Sequence, residues 1–227
     1  MTLEELRALV DSVELDLPPQ NLAEKGSLVD RDGRTADFSI HRGWNITLSH
    51  ACDKHWREYN LALMKFIDDQ KYDDRRLKTV LAGIQIDDAH WDWLLKSSHY
   101  RTDEYKWLFL VADGKPQGAC LIYHPKASVL SAGDIFYIEY IAVAPWNRSN
   151  PMESRLFKAV GSILIKHLIC YAHSELKLRY GFSLHALPRA IGYYQKLGMV
   201  GHTLSDKAPL KYFEMTEDCA ANYVAGL

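Results

Sequence analysis

IFYIEYIAVAPWNR, residues 135–148, is the stretch whose reading decides the fold. From Ile135 to Trp146 its one charged side chain is Glu139, and nearly all the rest are apolar or aromatic. Short runs rich in Ile, Val and Tyr that stop at a proline read as strands. Alternation puts Ile135, Tyr137, Glu139, Ile141 and Val143 on one face and Phe136, Ile138, Tyr140 and Ala142 on the other. Both faces are apolar, so this reads as a central strand covered on both sides. A carboxylate in such a strand is costly unless paired or hydrated. Glu139 therefore needs an explanation.

Upstream, KWLFLVA (106–112), DGKP (113–116) and QGACLIYH (117–124) read as a hairpin, two apolar runs joined by a turn of Asp, Gly and Pro. Downstream, the spacing predicts a loop over 147–158, a helix from Val160 to about Leu176, and a strand over Tyr180–Ala186. A further helix starts at Pro188, a favoured first position, and stops at Gly198, a favoured C-terminal cap. A last strand, LKYFEMT (210–216), and a short tail follow.

The front half reads differently. Residues 2–12 predict a short amphipathic helix with Leu3, Leu6, Leu9 and Val10 on one side, ended by Pro18 and Pro19. The polar run 21–34, with Gly26 and Gly33, reads as a linker. Residues 1–34 are thus expected as an extension: an appendage, a partner-binding arm or a poorly ordered tail. A first strand around Phe38 and Ile40 follows, then helices over about 48–70 and 74–82. A third, DDAHWDWLLKSS, is expected to be capped by Asp87 or Asp88 and to turn Trp91, Leu94 and Leu95 inward.

This order of strands and helices predicts one α/β domain over 35–227 with a mixed sheet. A net charge of −2 and 25% charged residues give no reason to expect nucleic acid as an obligatory partner. The acid-rich N-terminus, with Glu4, Glu5 and Asp11 against Arg7, lacks the pattern of a secretory signal, and no run is long enough to span a bilayer. The four cysteines, Cys52, Cys120, Cys170 and Cys219, form no CxxC pair and read as reduced thiols. Together these predict a soluble, cytoplasmic protein. His50 and His55 are spaced wrongly for one helical face, and no metal site is predicted. No cysteine or serine sits in a nucleophile elbow.

From His90 to the end, the chain resembles the GNAT superfamily of acetyl-CoA-dependent N-acetyltransferases. LFLVADGKPQGACLIY is similar to that family's second and third strands, IEYIAVAP to its fourth, KAVGSILI to its loop-to-helix turn, and ALPRAIGYYQKLGM to a later helix. APWNR, LHALP and LKYFE resemble segments of a bacterial subgroup of mostly unassigned substrate. The family's pyrophosphate signature runs Arg or Gln, two residues, Gly, one residue, Gly or Ala. Here Leu156, Ala159 and Gly161 fill those slots, with Arg155 one place early.

The resemblance implies a GNAT fold, a mixed central β-sheet flanked by helices on both faces, with helices within 48–100 shaping the substrate pocket, 105–216 forming the acetyl-CoA-binding core, and acetyl-CoA as co-substrate. Ile141, Ala142 and Val143 would carry the pantetheine arm through their backbone. The loop and helix start, Arg148, Arg155, Lys158, Ala159, Val160, Gly161 and Ser162, would cradle the pyrophosphate; unpaired N–H groups and local positive charge suit phosphates. Glu139 is the candidate base, because burial makes a carboxylate a stronger base near neutrality. Tyr194 is the candidate acid for the departing thiolate. His185, Ser183 and Trp93 are candidates for the substrate side. The acceptor would be an amine on a small molecule, peptide or protein, and homodimerisation is common in the family. A catalytically weak GNAT module that binds acyl-CoA or a protein partner is the other expectation.

Overall fold

A computed structural model describes residues 2–226 apart from Glu14 and Asp16; the side chain of Leu3 also lies outside the described residues, so its expected place on the first helix is not addressed. The chain divides into two compact units built from interleaved segments. The first comprises Met1–Arg101, Trp107–Ala119 and Ala142–Val160; the second comprises Thr102–Lys106, Cys120–Ile141 and Gly161–Leu227.

The helices are α1 (Leu3–Asp11), α2 (Ile46–Asp69), α3 (Asp74–Ala82), α4 (Trp93–His99), α5 (Val160–Ser174), α6 (Ile191–Lys196) and α7 (Glu217–Ala225). The strands are β1 (Leu22–Val29), β2 (Thr35–Arg42), β3 (Tyr105–Ala112), β4 (Lys115–Ala127), β5 (Asp134–Val143), β6 (Phe182–Ala186), β7 (Val200–Gly201) and β8 (Lys211–Glu214). Their order is β1-β2-β3-β4-β5-β6-β8-β7. Pairing is parallel between β5 and β6 and antiparallel in the pairs β1–β2, β2–β3, β6–β8 and β7–β8. The mixed sheet expected from the resemblance is present. The β3–β4 turn uses Asp113 (φ 51) and Gly114 (φ 67), both left-handed, as a two-residue hairpin requires.

Four sequence expectations are corrected. The run 21–34 is no linker: β1 pairs with β2 from Leu22↔His41 to Val29↔Thr35. Its Gly26 stands opposite Phe38, whose ring lies 2.6 Å from where a Cβ would be, so the missing side chain makes room for an aromatic. Second, α1 is docked and is not a poorly ordered tail. Asp11 binds Lys54 Nζ at 2.8 Å and His50 Nε2 at 3.0 Å, Arg7 pairs with Asp92, and Val10 is buried. Leu9 points outward, 57% exposed. Third, α4 starts at Trp93 with Asp92 as its cap, not Asp87 or Asp88; Leu94 is buried, whereas Leu95 is exposed. Fourth, the C-terminal tail is helical: Thr216 caps α7, and Glu217 and Asp218 fill its first turn.

The core of the first unit packs Trp56, Trp93, Trp107 and Phe109 in edge and stacked contacts with ring centroids 5.7–6.3 Å apart. In the second unit Phe136 stacks on Phe182 at 5.4 Å. A buried ring removes well over 100 Å² from water, so these clusters dominate the packing energy.

Candidate active site

The second unit contains the carboxylate that the sequence singles out. Register partners in neighbouring strands share a face, and the pairs Tyr137↔Ser183, Ser183↔Glu214 and His185↔Tyr212 therefore fix one. It carries Tyr137, Glu139, Ser183, His185, Tyr212 and Glu214. The opposite face carries Phe136, Ile138, Phe182, Leu184 and Phe213, all buried. The parallel contact is short. It ends at Ile138↔Leu184, although β5 runs on to Val143 and β6 to Ala186.

Glu139 is partly buried on that polar face. Burial raises its carboxyl above the ordinary value, and the charges of Lys207 and Lys126 pull it partly back. Glu214, by contrast, is 1% exposed and fully engaged. It accepts from the Tyr212 hydroxyl at 2.9 Å, the Val129 N–H at 3.0 Å, the Leu130 N–H at 3.3 Å and the Ser128 hydroxyl. Glu214 thus ties the loop after β4 to the sheet, while Glu139 feels the charges of Lys207 and Lys126.

His185 and Tyr137 are joined: His185 Nδ1 lies 2.6 Å from the Tyr137 hydroxyl, and its Nε2 lies 2.8 Å from the Ser205 carbonyl. Burial lowers the His185 pKa, favouring the neutral ring, and raises that of Tyr137, with Glu139 adding to the latter shift. Ser183 is fully buried. Tyr194 is 7% exposed, its ring 6.4 Å from Phe213. Phe213 belongs to the apolar face, and the Tyr194 ring packs against it.

The first unit holds the loop that follows β5. Gln117 organises its start: Oε1 accepts from Trp146 Nε1 at 2.7 Å and Asn147 Nδ2 at 3.0 Å, while Nε2 donates to the Ala112 carbonyl at 2.9 Å. Asn147 Oδ1 then accepts from the Phe157 N–H at 2.9 Å. Glu153 is neutralised by Arg31 at 2.6 Å and accepts from the Tyr59 hydroxyl at 2.7 Å.

Arg148, expected near the pyrophosphate, is occupied. Its two Nη atoms each lie 2.6 Å from an oxygen of Asp88, and it also donates to the carbonyls of Val143 and Gln85. That takes up the carbonyl of Val143 as well. Arg155 and Lys158 are exposed. Ala159 has φ 64, the left-handed conformation that favours glycine, immediately before Val160 opens α5. Gly161 and Ser162 lie in the first turn and are partly exposed.

Trp93 is 2% exposed, with rings of Trp56, Trp91 and Trp107 around it, and serves as core. It also edges a shallow, solvent-open cleft whose wall includes Asp53, Arg57, Trp91 and Arg148. Asp53 accepts from the backbone N–H groups of Trp93 at 2.7 Å and Leu94 at 2.9 Å. Burial nonetheless pushes its carboxyl up to about 7. Burial also acts on Asp92 in that direction, but the Leu95 N–H, Asp53 and Arg7 outweigh it and hold Asp92 low.

Sequence reasoning missed Tyr137 as a polar group, although it lies two residues from Glu139 on the same strand face. Ser205 carried no signal, since its backbone carbonyl does the work. Among the described residues no cluster of His, Cys, Asp and Glu could hold a metal ion, and no helix is long and apolar enough to cross a membrane.

No family model matches the chain, and no curated protein does. Solved structures do. An uncharacterized protein from Bacillus halodurans aligns with a TM-score of 0.50 at 9% identity, covering 89% of this chain and 97% of its own. The GNAT domain of S. lividans PAT aligns at 0.49 and 12% identity, covering 88% and 99%. The PaiA N-acetyltransferase from Thermoplasma acidophilum, in complex with coenzyme A, aligns at 0.42 and 13% identity, covering 78% and 99%. Likeness at such identity is one of fold.

Proposed function

We propose that the chain is a GNAT-type N-acetyltransferase that moves an acetyl group from acetyl-CoA to an amine by direct attack in a ternary complex. The observation that carries this reading is Glu139: a partly buried carboxylate on a central strand, raised in pKa by burial and next to an ordered tyrosine. Such a group serves as general base near neutrality, a contribution of about 10²–10⁴ in rate.

In this reading Glu139 takes a proton from the acceptor's ammonium, and the freed nitrogen attacks the thioester carbon. The C–N bond forms and the C–S bond breaks. Tyr194 protonates the departing thiolate and regains its proton from the second one that the nitrogen loses; the first leaves through Glu139 to solvent. Ile141, Ala142 and Val143 offer backbone to the pantetheine arm. Arg155, Lys158, Ala159, Val160, Gly161 and Ser162 hold the pyrophosphate at the start of α5. Arg148 acts there through structure, as a brace between the loop and Asp88. The coenzyme A that the PaiA structure contains is in keeping with this assignment.

The occupied Arg148 and the displaced Arg155 favour a second reading, a module that binds acyl-CoA weakly without turnover. Calorimetric titration of acetyl-CoA into wild type, Glu139→Gln and Tyr194→Phe, followed by an amine screen, decides between them. Equal binding by all three with turnover only by wild type is the expected result. Binding without turnover of any amine selects the module, and no binding rejects both readings.

A further inference from the structure

We propose that Tyr137 receives the acceptor's amine beside Glu139, and that His185 acts through Tyr137 as a positioning residue and not as a base. The inference rests on the acetyltransferase reading for its reaction, but its hydrogen bonds stand on their own. The Ser205 carbonyl can only accept, so the His185 Nε2 that lies 2.8 Å away carries a proton. With the ring neutral, Nδ1 is a bare acceptor, and the Tyr137 hydroxyl at 2.6 Å donates to it. That fixes the single proton of Tyr137. Its oxygen is left with lone pairs only, two residues from a carboxylate on the same face.

The surroundings hold this arrangement in place. Tyr212 meets the His185 ring edge-on with centroids 5.3 Å apart, and the Tyr212 hydroxyl is committed to Glu214 at 2.9 Å. Ser205 ends a 3-10 turn whose next residue, Asp206, accepts from the Tyr212 N–H at 2.9 Å and from Lys211 Nζ at 2.7 Å. The charged groups acting on the ring are Lys207, Asp206 and Lys126. None of these interactions offers His185 another proton acceptor or donor.

Two neighbouring oxygen acceptors with no proton to give select their guest. The Glu139 charge acts on the Tyr137 hydroxyl, so the two groups are electrostatic neighbours. A primary or secondary ammonium brings at least two N–H groups, enough for one to each oxygen. A hydroxyl or thiol brings one proton and leaves the other oxygen without a donor, which disfavours it where water is excluded. The acceptor class that follows is an amine arriving protonated, with Glu139 taking its proton while Tyr137 holds the nitrogen.

The test uses ¹⁵N-resolved NMR of the His185 ring in the intact chain. At neutral pH the ring is expected as the Nε2–H tautomer with an unprotonated Nδ1 whose signal moves in Tyr137→Phe. n-Butylammonium chloride, added as probe, is expected to shift that signal in wild type and not in Tyr137→Phe. A protonated Nδ1, or an identical or absent response to the probe in both proteins, overturns the proposal. His185→Asn, whose amide can replace Nδ1, is expected to keep probe binding where His185→Ala weakens it about tenfold. Acetyl-CoA plays no part in these readouts, so failure of the acetyltransferase reading is scored separately by the calorimetry above.

Discussion

Arg148 and Asp88 form a two-point ion pair, with Nη1–Oδ1 and Nη2–Oδ2 both at 2.6 Å and side chains only 13% and 6% exposed. Planar forks of this kind fix orientation as well as charge. Truncation of one partner leaves the other buried and unpaired. Arg148→Ala is therefore expected to lose about 3–5 kcal/mol in urea denaturation. Lys158→Ala, on an exposed cation, is expected to leave stability within about 0.5 kcal/mol yet to weaken acetyl-CoA binding up to about fivefold. A stable Arg148→Ala that lost acetyl-CoA binding would return Arg148 to the phosphate site.

In the proposed reaction Glu139 is expected to set the acid limb of the pH–rate profile. Burial raises its pKa above the ordinary 4.5, so kcat/KM is expected to climb with pH through a midpoint above that value. Glu139→Gln removes the limb and lowers the rate by about 10²–10⁴. Lys126 and Lys207 favour the ionised carboxylate, and their joint replacement by Ala moves the midpoint upward. A midpoint unmoved by that double replacement would detach the limb from Glu139.

The sequence disclosed this site unevenly, for physical reasons. Glu139 announced itself because a charge in an apolar strand breaks the pattern, and the 108–111 and 135–143 runs announced their strands in the same way. Strand β1 did not, because Gly26 reads as a turn residue until the Phe38 ring that covers it is known. The start of α4 was misplaced because Asp87, Asp88 and Asp92 are all good caps, and only the tertiary pairing of Asp88 with Arg148 removes one of them. The Tyr137–His185 contact joins residues 48 apart, beyond the reach of any local periodicity.

Asp53 makes stability fall with rising pH. Its carboxyl is raised from 3.8 to about 7 by burial, so the folded chain holds a proton that the unfolded chain releases. The contribution is fully present below about pH 3.8 and is lost as pH rises through about 7. Asp53→Asn is expected to start lower, since one of the two backbone N–H bonds loses its acceptor, and to show a flatter urea midpoint between pH 5 and pH 8 than wild type. Parallel slopes for the two proteins would refute the assignment.

Ala159 holds the left-handed conformation at φ 64 without being glycine. That costs about 1–2 kcal/mol. Ala159→Gly is expected to recover about 1 kcal/mol, less the extra backbone entropy of the unfolded glycine, and to raise Tm by about 2–4 °C. A lower Tm would mean that the Ala159 methyl packs more favourably than its backbone strains.

The segment after β5 has almost no regular structure between residues 147 and 158, yet Asn147, Asn150, Glu153 and Gln117 hold it by side-chain hydrogen bonds. A loop already set in this way loses little conformational freedom when something settles on it. Preorganisation of that kind predicts single-phase association without a slow closing step, and hydrogen-exchange protection of the Phe157 amide even before any guest arrives.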